Sequence, residues 1–164
     1  MTNMQNKVYK EMGVGSAGEI AKGFHSYLML FHGSVEENDN VCAGCFVQTT
    51  DVEGIVKGAS GNTIDHPIFG VVVKDHFINA ADNTAIFNKD NVVTILYKGA
   101  IFIETKSPAK VGQYVFLKND TGALVFDNTD TKEGHTYTKF KVAKGTDSAV
   151  NADLGFDIIV IVSE

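Results

Sequence analysis

The stretch Val92–Phe126, VVTILYKGAIFIETKSPAKVGQYVFLKNDTGALVF, decides how the chain is read. Gly99, Pro108, Gly112 and Gly122 cut it into four short runs: Val92–Tyr97, Ala100–Glu104, Gln113–Lys118 and Ala123–Phe126. Each run is too short for an ordinary helix and is rich in Val, Ile, Phe and Tyr, side chains that fit a pleated sheet. The breaks fall where strands must turn, because Gly opens backbone angles closed to other residues and Pro removes a ladder donor. No residue set typical of chemistry interrupts the runs. The stretch reads as scaffold made to present a surface.

Outward from it the pattern continues. Ser26–Phe31 (SYLMLF) and Ile68–Val73 (IFGVVV) read as buried strands, and Val41–Thr49 as a strand with Gly44 as a bulge. Gly54–Asn62 (GIVKGASGN) reads as a loop. Thr136–Ala143 alternates, with Tyr137, Lys139 and Lys141 on one side and Thr138, Phe140 and Val142 on the other. Phe156–Val162 (FDIIVIV) closes the chain as a strand expected to pair inside a sheet. Asp127–Gly134 and Lys144–Gly155 are polar connections. Asp75–Asn91 mixes apolar residues with NAADN and NKDN turn clusters and reads as a long connection or an insertion. Met1–Gly18 is polar and Gly-punctuated and reads as an N-terminal arm. The strands recur at the roughly 8–12-residue spacing of sandwiches and barrels. The expectation is an all-β chain with a single domain over residues 19–164, a sandwich or barrel, jelly-roll-like, preceded by that arm.

With 164 residues, 44% of them apolar, the chain can bury a core without disulfides or metal. Its formal net charge is −6, and all 14 basic residues are Lys. Arg is the usual residue for bidentate phosphate and guanine contacts, so an acidic chain without it argues against nucleic-acid partners and phosphoryl transfer. No run nears the ~20 apolar residues of a membrane span. The opening MTNMQNKVYKEMG has no apolar h-region, so no secretory signal is expected.

Motifs that suggest chemistry fail on context. Gly13-Val14-Gly15-Ser16-Ala17-Gly18 is a literal G-x-G-x-x-G, but a dinucleotide site needs a buried parallel strand before it and a helix after it. The residues before it are too polar, and no βαβ alternation follows. The simpler reading is a glycine segment passing close to another backbone. Cys42-Ala43-Gly44-Cys45 is a C-x-x-C followed by the β-type FVQTT, not by the helix a redox site requires. Positions three apart on one strand face opposite ways, so the thiols are expected not to meet and not to share a metal. They point to a reducing compartment or to no redox role. The histidines at 25, 32, 66, 76 and 135 form no H-x-H or H-x-x-x-H pair. Gly58-Ala59-Ser60-Gly61-Asn62 lacks the final Gly and the strand-turn-helix setting of a nucleophile elbow. Glu36, Glu37 and Asp39, and Asp127, Asp130 and Glu133, lack EF-hand spacing and read as solvated loop charges. No catalytic residue, cofactor or metal is expected.

Three features resemble the structural cement, or head decoration, proteins of tailed bacteriophages. They are the Gly13–Gly23 segment GVGSAGEIAKG, the Val41–Gln48 strand, and the Gly99–Phe126 region with its KVGQYVFLKNDTGAL pattern, followed by the apolar C-terminal strand. The resemblance implies a β-sandwich or barrel that binds and stabilises the outside of a major capsid protein shell. It implies a non-enzymatic virion protein, a homo-oligomer (dimer or trimer) on the capsid, made in the host cytoplasm. Gly13, Gly15, Gly18 and Glu19 are the capsid-contact candidates. The alternatives are another virion component of the tail or head completion, or a cupin-like β-barrel enzyme or ligand-binding protein.

Overall fold

A computed structural model describes residues 16–22, 28–36, 41–74, 86–146 and 157–164. These contain twelve strands and no helix. In chain order they are β1 (Met29–Val35), β2 (Val41–Cys42), β3 (Phe46–Thr49), β4 (Ile55–Gly58), β5 (Ile68–Val72), β6 (Ile86–Phe87), β7 (Val92–Lys98), β8 (Ala100–Thr105), β9 (Tyr114–Lys118), β10 (Leu124–Asp127), β11 (His135–Lys144) and β12 (Asp157–Ser163). The expectation of an all-β chain holds, and sandwich and barrel are both present. Strands β1-β4-β3-β5-β7 close into a barrel, and β10-β9-β11-β12-β8 form an open sheet beside it. The short β2 and β6 pair with each other.

The four runs of Val92–Phe126 become β7 to β10 and supply one wall of the barrel and three strands of the open sheet. The chain passes from one body to the other at Gly99. The barrel closes through β1 and β7, antiparallel from Met29↔Lys98 to Ser34↔Val92. Inward-facing side chains fill it: Val35, Val47, Val56, Val72, Val93 and Ile95, with Val41 and Phe87 from the β2–β6 pair. β-branched residues suit this space because their stiff side chains fill a narrow barrel without losing much rotamer freedom.

A second core lies between barrel wall and sheet. Phe46, Val71 and Leu96 on the barrel meet Ile101, Ile103, Val115, Leu117, Phe140, Val142, Ile159 and Ile161 on the sheet. Phe46 and Phe140 pack edge to face with ring centres 5.8 Å apart. The alternation expected for β11 is present, with Thr138, Phe140 and Val142 buried and Lys139 exposed. The C-terminal strand β12 lies inside the sheet, between β11 and β8.

Three sequence expectations are corrected. Ser26–Phe31 is not a buried strand: β1 begins at Met29, and Leu28, Leu30 and Phe31 are exposed, the buried residues of β1 being Gly33 and Val35. Gly54–Asn62 is not all loop: β4 pairs parallel with β1 and antiparallel with β3. Its four residues, the last of them Gly58, are too few to show a period. Val41–Thr49 is not one strand. It breaks at a turn over Ala43 and Gly44, with Gly44 at φ +80° and the Cys45 amide donating to the Cys42 carbonyl at 3.1 Å. The turn reverses the facing of a continuous strand and joins Cys42 and Cys45 in a disulfide.

Gln48 in β3 is fully buried and fully partnered. Its Nε2 donates to the carbonyls of Gly58 and Thr63 at 3.1 and 3.0 Å, and its Oε1 accepts from the amides of Asp65 and His66 at 3.1 and 3.0 Å. One side chain thereby ties the whole β4–β5 connection to the barrel.

Candidate functional site

Of the four contact candidates, Gly18 and Glu19 lie in the described segment 16–22, and Gly13 and Gly15 lie outside the described residues. That segment runs along the free side of β8. The Gly18 amide donates to the Phe102 carbonyl at 2.8 Å, the Phe102 amide to Glu19 at 2.9 Å, and the Ala21 amide to Ala100 at 2.9 Å. Ile20 and Ile101 form an antiparallel bridge. Ala21 is buried with Ala100 and Val160 in a small cluster on the outer face of the sheet.

Gly18 works within the fold. Its φ is +86°, and a Cβ there would lie 2.9 Å from the Gly44 and Lys74 amide nitrogens. The Lys74 amide donates to the Gly18 carbonyl at 2.8 Å, so this residue touches both bodies. Glu19 is exposed. Its carboxylate accepts from the Ser16 hydroxyl at 2.6 Å and the Ser16 amide at 3.2 Å, while Lys74 Nζ donates to the Ser16 hydroxyl at 3.0 Å. The result is a held, polar ridge beside β8.

Two other surface features stand out, one on each body. Leu28, Leu30 and Phe31 are exposed at the start of β1. Phe31 packs on Phe69 and Tyr97 with ring centres 5.5 and 5.7 Å away, where β1 begins and β7 finishes. On the outer face of the sheet, Tyr137 packs against Tyr114 and Phe116, each at 5.5 Å, and Lys141 lies 4.3 Å over the Tyr114 ring. Glu164 accepts from both Tyr137 and Lys141, and the hydrogen bond from Lys141 is the main cause that holds its carboxyl below the ordinary value. Burial, then the neighbouring Glu164 carboxylate, push the Tyr137 hydroxyl up.

Two loop carboxylates, Asp65 and Asp127, are held by lysines. Lys57 Nζ lies 2.6 Å from Asp65, which also meets the His66 ring at 2.9 Å. Hydrogen bonds from Lys57 and then His66 lower Asp65 to about 2. Lys132 lies 2.5 Å from Asp127 and is the main cause that lowers it to about 2. The Asp65 and then the Asp51 carboxylate raise His66 above its ordinary value.

A cavity of about 530 Å³ opens between the bodies, lined by Ala17, residues 42–45, Ser60, Gly61, residues 104–107 and residues 122–124. Ser60 is engaged structurally, its hydroxyl accepting from the Phe46 amide at 3.0 Å. Among the described residues no group of three or more His, Cys, Asp or Glu is placed to hold a metal ion. Sequence reasoning missed the Phe31–Phe69–Tyr97 cluster, because its members come from three strands far apart in the chain. It also missed the Cys42–Cys45 pairing, although Gly44 between them was the available signal.

A family model described as "Structural cement protein (E217 gp24/Pam3 gp6)" matches residues 4–156. The fold is similar to that of a chain in a solved structure described as "The capsid of Myoviridae Phage XM1". The TM-score is 0.60 at 14% identity, over 91% of this chain and 89% of that one. No curated protein matches the chain.

Proposed function

The chain belongs to the structural cement protein family, and from that premise we propose that it binds the outside of a shell of major capsid protein and stabilises the shell without catalysis. The family match over residues 4–156 is the observation that carries this reading. A structural role in a phage capsid follows from membership. Exterior placement, direct contact with the major capsid protein and association of copies into a dimer or trimer are the proposal's own content.

The physical case rests on what such a role requires. A protein that binds assembled shells but not free subunits shifts assembly by mass action, by roughly 2.7 kcal/mol per site at a hundredfold excess over Kd. It must itself stay folded, and two cores sharing the β3, β5 and β7 wall provide that. It must present groups that a partner can meet. Segment 16–22 supplies exposed Glu19 and Lys22 on a ridge whose backbone is already fixed. Gly18 then positions the ridge and Glu19 makes the contact. Gly13 and Gly15 extend the same contact toward the N-terminus. The net charge of −6 suits a shell exterior better than a surface packed against DNA.

The test is a titration of the purified protein onto undecorated shells, followed by pelleting and a thermal ramp. Binding is expected to plateau at a fixed ratio to capsid subunits and to raise the temperature at which shells open. Recovery that grows without a plateau, or an unchanged opening temperature, overturns the reading.

A further inference from the structure

The C-x-x-C motif has no part in the contact surface proposed above, yet it occupies the joint of the molecule. Cys42 ends β2, Cys45 precedes β3, and their Cα atoms are 5.4 Å apart, within the span a disulfide bridges. Both are half-buried, and both line the cavity of about 530 Å³, a size that takes ligands of small-peptide dimensions. On its other side the turn backs segment 16–22. A Cβ on Gly44 would lie 2.9 Å from the Gly18 nitrogen and from the Ala17 methyl, and a Cβ on Gly18 would lie 2.9 Å from the Gly44 nitrogen and the Ala43 methyl, so the two turns pack through backbone and two small side chains with no room to spare. The Gly44 amide donates to the Val72 carbonyl at 2.8 Å, and the Val72 amide donates to Cys45 at 2.9 Å. Any loosening of the turn therefore reaches β5, Lys74 and the Gly18 carbonyl that Lys74 holds.

We propose that the Cys42–Cys45 turn is a thiol–disulfide exchange site, entered from the cavity by small thiols and disulfides of the glutathione class, and that its oxidation state sets how firmly segment 16–22 is held. In reduction, a small-molecule thiolate attacks one sulfur of the pair. A mixed disulfide forms, the Cys42–Cys45 bond breaks, and the released cysteine leaves as a thiolate that takes a proton from water. A second small thiolate attacks the small-molecule sulfur of that mixed disulfide. The small-molecule disulfide departs and the second cysteine is released. Two electrons pass from two small thiols to the cysteine pair, and oxidation by the small disulfide is the reverse. The closed ring restricts the turn that backs Gly18. The open dithiol leaves it free to fluctuate, and reducing surroundings favour that form.

The full-length protein is incubated with excess oxidised glutathione or with reduced glutathione. Free thiols are counted, and amide hydrogen exchange is followed residue by residue. Expected are no free thiols in the first sample and two in the second. Exchange at Gly18, Ala21, Lys74 and Phe102 should be roughly ten-fold faster in the reduced protein, with β9 and β11 unchanged. The Cys42→Ser, Cys45→Ser double variant should show the faster exchange in both conditions. Two titratable thiols persisting in excess oxidised glutathione, or equal exchange of segment 16–22 in both forms, overturns the proposal. Both readouts use the isolated protein, so a failure of capsid binding leaves this inference standing.

Discussion

In the barrel every strand has a neighbour on both sides, whereas in the open sheet β8 and β10 each pair with one strand. The two outer strands are handled differently. The free side of β8 is covered by residues 18–21 through three backbone hydrogen bonds. β10 is only four residues long, which limits what can pair with it. A closed sheet offers no backbone to a partner, and an open one must cover or shorten what it offers. The barrel is thus the insulated half, and the open sheet is the half whose outer strands must be covered or kept short. The interiors differ too: the barrel is filled mainly by Val and Ile, and the seam between bodies by larger rings such as Phe46 and Phe140.

The largest expected effect breaks the closed half. Gly70 in β5 crosses β7 so closely that a Cβ would lie 2.3 Å from the Leu96 carbonyl oxygen. That carbonyl is backbone of a paired strand and cannot yield, so Gly70→Ala should cost more than about 4 kcal/mol in a urea titration or leave no folded protein. Phe140→Ala opens a cavity at the seam and should cost about 4 kcal/mol while the barrel interior stays packed. Gln48→Leu leaves two carbonyls and two amides without their partner and should cost about 3 kcal/mol, with the exchange of Asp65 and His66 amides rising first.

The smaller effects are at the surface. His66 has its folded pKa raised above 6.5 by Asp65 and Asp51. Its contribution is complete below about pH 6.5 and is lost as pH rises through the folded value. His66→Asn should therefore flatten the fall of melting temperature that begins above pH 6.5. Asp65 and Asp127 are lowered to about 2 from 3.8, so their contributions hold above 3.8 and fade as pH falls toward 2. Lys139 sits at φ +66° where the β9–β11 register shifts, a conformation that disfavours side chains. Lys139→Gly should raise stability by about 0.5 kcal/mol, small because glycine also frees the unfolded chain.

The sequence discloses single strands better than their partners. Val92–Phe126 was legible because Gly and Pro punctuate runs of β-forming residues, and β11 because its alternation spans enough residues to have a phase. The split into a barrel and an open sheet was not legible. It depends on β1 reaching β7 across some sixty residues of chain and on a short parallel pairing with β4. The close backbone approach expected of the glycine segment is found at Gly18, but its partner Gly44 lies in another turn, and no spacing rule links the two. A strand running through Gly44 would set Cys42 and Cys45 on opposite faces; the positive φ at that glycine makes a turn instead and brings them together. Gln48 looked like any polar residue of an alternating strand, since its four partners are backbone atoms that carry no sequence signal.

The most direct test of the central claim is a pair of cryo-EM reconstructions of undecorated shells, with and without the purified protein. The account predicts added density on the outer surface, at a repeated position over the major capsid protein, into which the barrel and sheet fit with residues 16–22 facing the shell. Identical reconstructions, or added density only inside the shell, would contradict it.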